Sequence, residues 1–260
     1  MSLKVRAIKR KIGALSKEMP IIVYKTIDST NTQAKSSAEN GQYKNAVFIA
    51  SEQTAGRGRL GRSFISEGGK GLYLSILLGG PLSPDSAVSL TTYMAVIAAR
   101  CIEKLSATTP QIKWVNDIYL GGKKLAGILT EGKADNSGEA LEFAVVGIGI
   151  NLLKQEFDPE VKSIATTLED ECGKRLDVNA LAAMIIKAFF EDLPLAGSTE
   201  IASEYRSRSF LVGERVTVIK PTESYEALVT DITDKCELAL KLDNGTTELL
   251  STGEVSVRKA

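Results

Sequence analysis

Ser51-Glu-Gln-Thr-Ala-Gly-Arg-Gly-Arg-Leu-Gly-Arg-Ser63 places three glycines and three arginines within residues 56–62. Such a run reads as a cationic loop. Gly56, Gly58 and Gly61 permit positive φ at an entropic cost, and Arg57, Arg59 and Arg62 carry forked donors that suit carboxylate and phosphate oxygens. The same letters satisfy two phosphate-binding patterns, and their context argues against both. Gly56-x-Gly58-x-x-Gly61 has the spacing of a dinucleotide fingerprint, and Gly56-x4-Gly61-Arg62-Ser63 that of a P-loop with arginine for lysine; each must open a helix. Here the glycine-rich Ser63-Phe-Ile-Ser-Glu-Gly-Gly-Lys-Gly71 follows, and then the strand-like Leu72-Tyr-Leu-Ser-Ile-Leu-Leu78. Two readings stay open: a mobile anion-binding loop, or a solvated basic turn.

The flanks supply the frame. Val47-Phe-Ile-Ala-Ser51 reads as a short strand delivering the chain to the loop, and residues 72–78 carry it away. Before them, residues 1–19 read as a short basic arm or helix and Pro20-Ile-Ile-Val-Tyr24 as a first strand. Asp28-Ser-Thr-Asn31 fits a helix N-cap, and equally a set of hydroxyls and an amide presented at a strand-to-helix corner. Pro84-Asp85 starts a long apolar helix over about 86–106, with Cys101 read as a packed thiol rather than a nucleophile.

Gln111 to Glu131 contains two alternating apolar runs around Gly121-Gly122, a hairpin signal, and Leu141 to Ile150 continues as a third strand. Lys113, Asn116, Asp117 and Lys124 cluster near that hairpin, beside the single Trp and ahead of Gly147-x-Gly149-x-Asn151. Any one of these charges is ordinarily a surface residue. Further on, Ser163–Asp170, Asp177–Leu193 and Ser198–Ser209 read as helices, and Phe210-Leu-Val-Gly213 opens about fifty residues of short strands with an Asp243-Asn-Gly245 turn.

Composition narrows the chemistry. The 260 residues are 43% hydrophobic, and Lys plus Arg equals Asp plus Glu at 32 each, so no global basic field exists to draw nucleic acid or anionic membrane. Three widely spaced cysteines fit neither a disulfide framework nor a zinc site, which points to a reducing compartment; with no signal peptide and no membrane-length apolar run, the expected location is the cytoplasm. The chain contains no histidine. Histidine-based triads, general bases and metal sites are therefore excluded, and any reaction must run on Lys, Arg, carboxylates, amides and bound cofactors.

Taken in series, Asp28-Ser-Thr-Asn31, Glu52–Arg62, Lys113-Trp-Val-Asn-Asp117, Lys123-Lys-Leu-Ala-Gly-Ile-Leu129 and Gly147-Ile-Gly-Ile-Asn151 resemble the biotin–protein ligases, motif by motif and in order. Gly253–Arg258 resembles the end of that family's small C-terminal barrel. The resemblance implies an α+β fold: a mixed or antiparallel sheet covered by helices, class II synthetase-like, over residues 20–209, with an SH3-like barrel at 210–260 after the arm at 1–19. It implies a two-step reaction, in which biotin and MgATP give biotinyl-5′-AMP and pyrophosphate and the biotinyl group passes to a lysine of a biotin carboxyl carrier protein, such as that of acetyl-CoA carboxylase.

By the same resemblance Ser29, Thr30, Asn31 and Gln53 line the biotin head group, and Arg57, Gly58 and Arg59 belong to the biotin and adenylate loop. Arg59 and Lys124 are the catalytic pair. Arg59, Arg62, Lys113, Asn116, Asp117 and Asn151 serve ATP, with Asp117 the candidate Mg²⁺ contact. Val115 stands where the family usually has proline and Phe64 where it has tryptophan; Phe64 keeps an aromatic to cover a purine or biotin. Only about 19 residues precede the first strand, too few for the family's winged helix-turn-helix, so a ligase-only form without DNA binding is expected. A biotin-responsive repressor and a lipoate-type acyl ligase are the alternatives. Monomer and homodimer both remain open.

Overall fold

The computed structural model describes residues 2–220, 223–251 and 254–257. A seven-stranded sheet in the order β1-β2-β3-β7-β6-β5-β4 organises the chain. Its strands are β1 (Ile21–Tyr24), β2 (Ala46–Ala50), β3 (Gly71–Leu82), β4 (Gln111–Lys113), β5 (Asp117–Leu120), β6 (Lys123–Ala134) and β7 (Leu141–Asn151). β1 and β2 run parallel and all the other pairs are antiparallel, the mixed sheet expected from the sequence. The Gly121-Gly122 turn closes β5 on β6 with positive φ at both residues, as a tight two-residue hairpin requires.

The helices are α1 (Val5–Ile12), α2 (Leu15–Glu18), α3 (Thr30–Glu39), α4 (Ser86–Ser106), α5 (Pro159–Lys162), α6 (Leu168–Cys172), α7 (Val178–Glu191) and α8 (Thr199–Arg208). They divide unevenly between the sheet faces. Strand alternation sends Leu72, Leu74 and Ile76 of β3 and Val146, Ile148 and Ile150 of β7 to one face, into a large core shared with α1, α4, α7 and α8. Among the described residues the opposite face receives only α3, whose Ala34 and Ala38 pack on Phe48, Leu77, Phe143 and Val145. The apolar packing on that face stops at Ser75 of β3 and Gly147 of β7. Beyond them it is open.

One expected helix is absent. Residues 163–167 do not continue into a helix running to Asp170, because their backbone is used elsewhere: the Lys124 amide donates to the Ile164 carbonyl at 2.8 Å and the Thr166 amide to the Lys124 carbonyl at 2.9 Å. Helix α6 starts only at Leu168, where the Thr167 hydroxyl caps it by accepting from the Asp170 amide. The other helices match their reading, with Asp177 and Ser198 as side-chain N-caps.

A second, antiparallel sheet follows in the order β11-β10-β9-β8-β12, from β8 (Arg215–Ile219), β9 (Ser224–Ile232), β10 (Leu238–Leu242), β11 (Thr247–Leu250) and β12 (Glu254–Val257). This is the small SH3-like barrel expected from the sequence; Gly253 and Arg258 of its closing motif lie outside the described residues. Its Val216, Val218, Val229, Leu238 and Leu240 are buried in the same continuous apolar cluster as α4 and α7. Among the described residues no helix is long and apolar enough to cross a membrane.

Candidate active site

The open stretch of the α3 face is the floor of a cavity of about 150 Å³. Gly147 and Gly149 of β7 and Gly127 of β6 form that floor. Their lack of a side chain is required by what lies above. A Cβ at Gly147 would stand 2.1 Å from the Asn31 Oδ1, and one at Gly149 would stand 2.6 Å from the Phe64 ring. The Gly-x-Gly spacing thus places two clearings on one face of a strand, one for an amide and one for an aromatic ring.

At one end the corner Asp28-Ser-Thr-Asn31 opens α3. Ser29 occupies the N-cap position, yet its side chain caps nothing. The helix is capped from outside: Gln53 Oε1 accepts from the Thr30 amide at 2.8 Å and from the Thr30 hydroxyl at 3.0 Å, while Gln53 Nε2 donates to Ser66 Oγ at 3.0 Å. Ser29 thus holds the N-cap position and also lines the cavity. Behind it Ser75 Oγ lies 2.6 Å from Asn31 Oδ1, and Asn31 Nδ2 donates to the Leu129 carbonyl at 3.2 Å and to Glu131 Oε2 at 2.9 Å. This end is a fixed lattice of hydroxyl and amide groups.

The roof is the arginine loop. It folds as a small hairpin, with an antiparallel bridge between Arg57 and Ser63, the Gly58 amide donating to the Arg62 carbonyl at 2.7 Å, and the Phe64 amide donating to the Gly56 carbonyl at 2.9 Å. A single 3₁₀ turn over Arg59–Gly61 forms the tip, where Leu60 has φ +54 and is 74% exposed. No α-helix follows, which removes both phosphate-loop readings. Arg59 Nη1 donates to Asn116 Oδ1 at 3.1 Å, and the Arg57 guanidinium turns to Glu131 Oε1 at 3.4 Å.

The cationic end is built on the corner between β4 and β5 and on the start of β6. Asn116 is locked against β6, its Nδ2 donating to the Ile128 carbonyl at 2.9 Å and its carbonyl accepting the Ile128 amide at 2.9 Å. Lys124 Nζ lies 2.8 Å from Asp117 Oδ1, an ion pair in which that oxygen accepts no aligned hydrogen bond. Two contacts from below hold the corner: Trp114 Nε1 donates to the Cys236 carbonyl at 2.8 Å, and Tyr205 OH to the Val115 carbonyl at 3.0 Å. The Tyr205 hydroxyl is fully buried, and burial pushes its pKa well above the ordinary value.

Of the residues selected from the sequence, Ser29, Thr30, Asn31, Gln53, Arg57, Gly58, Arg59, Arg62, Lys113, Asn116, Asp117 and Lys124 all line this one cavity. Asn151 does not. Its amide donates at 3.2 Å to the carbonyl of Thr166, the residue whose own amide binds the Lys124 carbonyl. Glu131, Lys35 and Ser75 were not selected. Glu131 carried a signal nonetheless, as a carboxylate that follows Gly127 and Leu129 on one face of the strand. Cys101 is buried, and desolvation pushes its thiol up to about 12, as expected of a packed cysteine. Among the described residues no group of three or more His, Cys, Asp or Glu side chains could hold a metal ion.

The comparisons with known proteins agree with this geometry. The model of the biotin/lipoate A/B protein ligase family matches residues 23–151, and that of the biotin protein ligase C-terminal domain matches residues 211–258. The chain is 31% identical over 256 residues to the biotin–[acetyl-CoA-carboxylase] ligase of Mycobacterium tuberculosis, covering 94% of this chain and 91% of that protein. It is 30% identical over 236 residues to the bifunctional ligase/repressor BirA of Bacillus subtilis, covering 89% of this chain and 72% of that protein. A solved structure of the biotin protein ligase from Aquifex aeolicus, in complex with biotin and ATP, superposes with a TM-score of 0.78 at 27% identity, over 93% of this chain and 99% of that one. The chain belongs to the biotin/lipoate A/B protein ligase family, and within it to the biotin protein ligases.

Proposed function

We propose that this protein activates biotin with ATP to biotinyl-5′-AMP and transfers the biotinyl group to a lysine of a biotin carboxyl carrier protein, such as that of acetyl-CoA carboxylase. One observation carries the reading: a single cavity joins a hydroxyl and amide end (Ser29, Thr30, Gln53) to a cationic end (Arg59, Lys113, Lys124) across a glycine floor. The first end suits a ureido ring, which both donates and accepts hydrogen bonds. The second suits a carboxylate beside a polyphosphate.

Attack of one anion on another needs no general base. It needs the two held in line and the growing charge neutralised, a role for Arg59 and Lys124. Lys113, Arg62 and Asn116 serve the phosphates in this reading, and Asn151 acts through Thr166 on the strand that carries Lys124. Asp117 fits a Mg²⁺ that arrives with the nucleotide: Mg²⁺ is commonly held by one or two carboxylates plus substrate phosphates, and Asp117 lines the cavity with its carboxylate beside Lys124. Bound there, the ion would neutralise phosphate charge. We assign residues 20–209 to catalysis and 210–260 to a domain supporting the ATP end. Equal acidic and basic counts support a role without DNA, and three free cysteines support a reducing, cytoplasmic setting.

The test is acid-dependent ATP–pyrophosphate exchange. Wild type should exchange with biotin and not with lipoate, and Arg59→Ala and Lys124→Ala should each lose at least about a hundredfold, the usual scale for removing a group that stabilises transition-state charge. Exchange with lipoate instead would reassign the acid, and exchange with neither would end the enzyme reading.

A further inference from the structure

The carboxylate of Glu131 sits behind the cavity wall, where three side chains from two elements, helix α3 and the arginine loop, converge on it. It lies on β6 with Leu129 on the α3 face, its side chain 18% exposed. Lys35 Nζ of α3 reaches its Oε1 at 2.7 Å, Asn31 Nδ2 reaches its Oε2 at 2.9 Å, and Arg57 Nη2 of the arginine loop stands 3.4 Å from Oε1. Glu131 itself does not line the cavity. Burial pushes its pKa up, but the bonds from Lys35 and Asn31 and the charges of Lys35 and Arg57 outweigh that and hold it below the ordinary value. The group is an anion tied at once to two residues of helix α3 and to the arginine loop.

Each tie has a consequence for binding. The bond to Asn31 leaves its amide one orientation, Nδ2 toward Glu131 and the Leu129 carbonyl and Oδ1 toward Ser75. The Arg57 pair ties that guanidinium, which also lines the cavity, to β6 through Glu131. Arg57 is thereby partly neutralised and competes less with Arg59 for an incoming carboxylate.

We propose that Glu131 is a positioning residue for the biotin end of the site, one that pins the arginine loop through Arg57 and fixes the amide of Asn31. The proposal rests on the function given above and names a residue it does not use. Glu131→Gln keeps the shape and removes the charge. It should raise the biotin dissociation constant and the biotin KM about tenfold, the order expected from losing a charged hydrogen-bond partner, with kcat at saturating biotin within about twofold. A merely structural role would lower kcat and thermal stability instead.

A second readout needs no ligand. In the biotin-free protein, chymotrypsin should cut after Leu60 and Phe64 several-fold faster in Glu131→Gln than in wild type. In a cycle with Arg57→Gln the two effects should not add, because either change opens the same tie. Lys35→Met, which removes one α3 partner and leaves Asn31 and Arg57 in place, should leave the cutting rate as in wild type. Additive effects in the cycle, or unchanged cutting and unchanged biotin KM in Glu131→Gln, would overturn the proposal. If wild type bound no biotin, the function proposed above would fail, while the cutting experiment would still decide whether Glu131 holds the loop.

Discussion

Gly147 shows how far one missing atom can set a binding site. Asn31 Oδ1 occupies the space a Cβ there would need, with 2.1 Å between them. Gly147→Ala should force Asn31 aside and break its bond with Ser75, a cost of about 1–3 kcal/mol by analogy with overpacking in cores. We expect isothermal titration to give a biotin dissociation constant about tenfold or more above wild type; a value within about twofold would mean that Asn31 moves aside freely. At this scale the sequence was most legible. Motif letters identified nearly every cavity-lining polar residue, because each must have a particular chemical type. Glu131, Lys35 and Ser75 escaped, since their roles come from neighbours about 100 positions away for Glu131 and Asn31, and 44 for Ser75 and Asn31.

Among elements, the β5–β6 hairpin carries the most consequence. Lys124 is held on both sides: its strand pairs with β5, and its backbone pairs with Ile164 and Thr166 across a parallel bridge to Ala165. This second pairing is what the helical reading of 163–170 missed. The segment's letters allow a helix, and only a distant strand edge in need of a donor and an acceptor makes it extended. Thr166→Pro removes the donor that reaches the Lys124 carbonyl. It should lower kcat of the exchange reaction by about tenfold or more, since small misplacements of a reacting group are costly, and leave biotin affinity within about twofold. Parallel losses of both would show that the segment supports the whole cavity rather than Lys124.

For the molecule as a whole, the strand-turn-strand signals were enough to anticipate a meander at residues 111–151 and a small second sheet, and the family resemblance added the mixed or antiparallel sheet. What they could not reveal is that the two sheets share their interior. Val216, Val218 and Leu240 lie in the same apolar cluster as Tyr93, Ile97 and Phe189, and Arg206 of α8 donates to the Ile232 carbonyl and pairs with Asp231 and Asp234. Contacts between segments 100 residues apart leave no local period to read.

The bond from Trp114 to the Cys236 carbonyl crosses that shared interior and ends beside the cavity. Two units joined in this way melt as one: losing the small sheet would strip apolar area from α8 and the β4–β5 corner, and leave an indole donor buried without a partner. Calorimetry should therefore show a single transition whose van't Hoff and calorimetric enthalpies agree. Biotin should shift the melting of both sheets together; two separable transitions would show the units to be independent. The small sheet then acts as thermodynamic ballast for the site, and occupancy of the cavity is felt across the whole barrel.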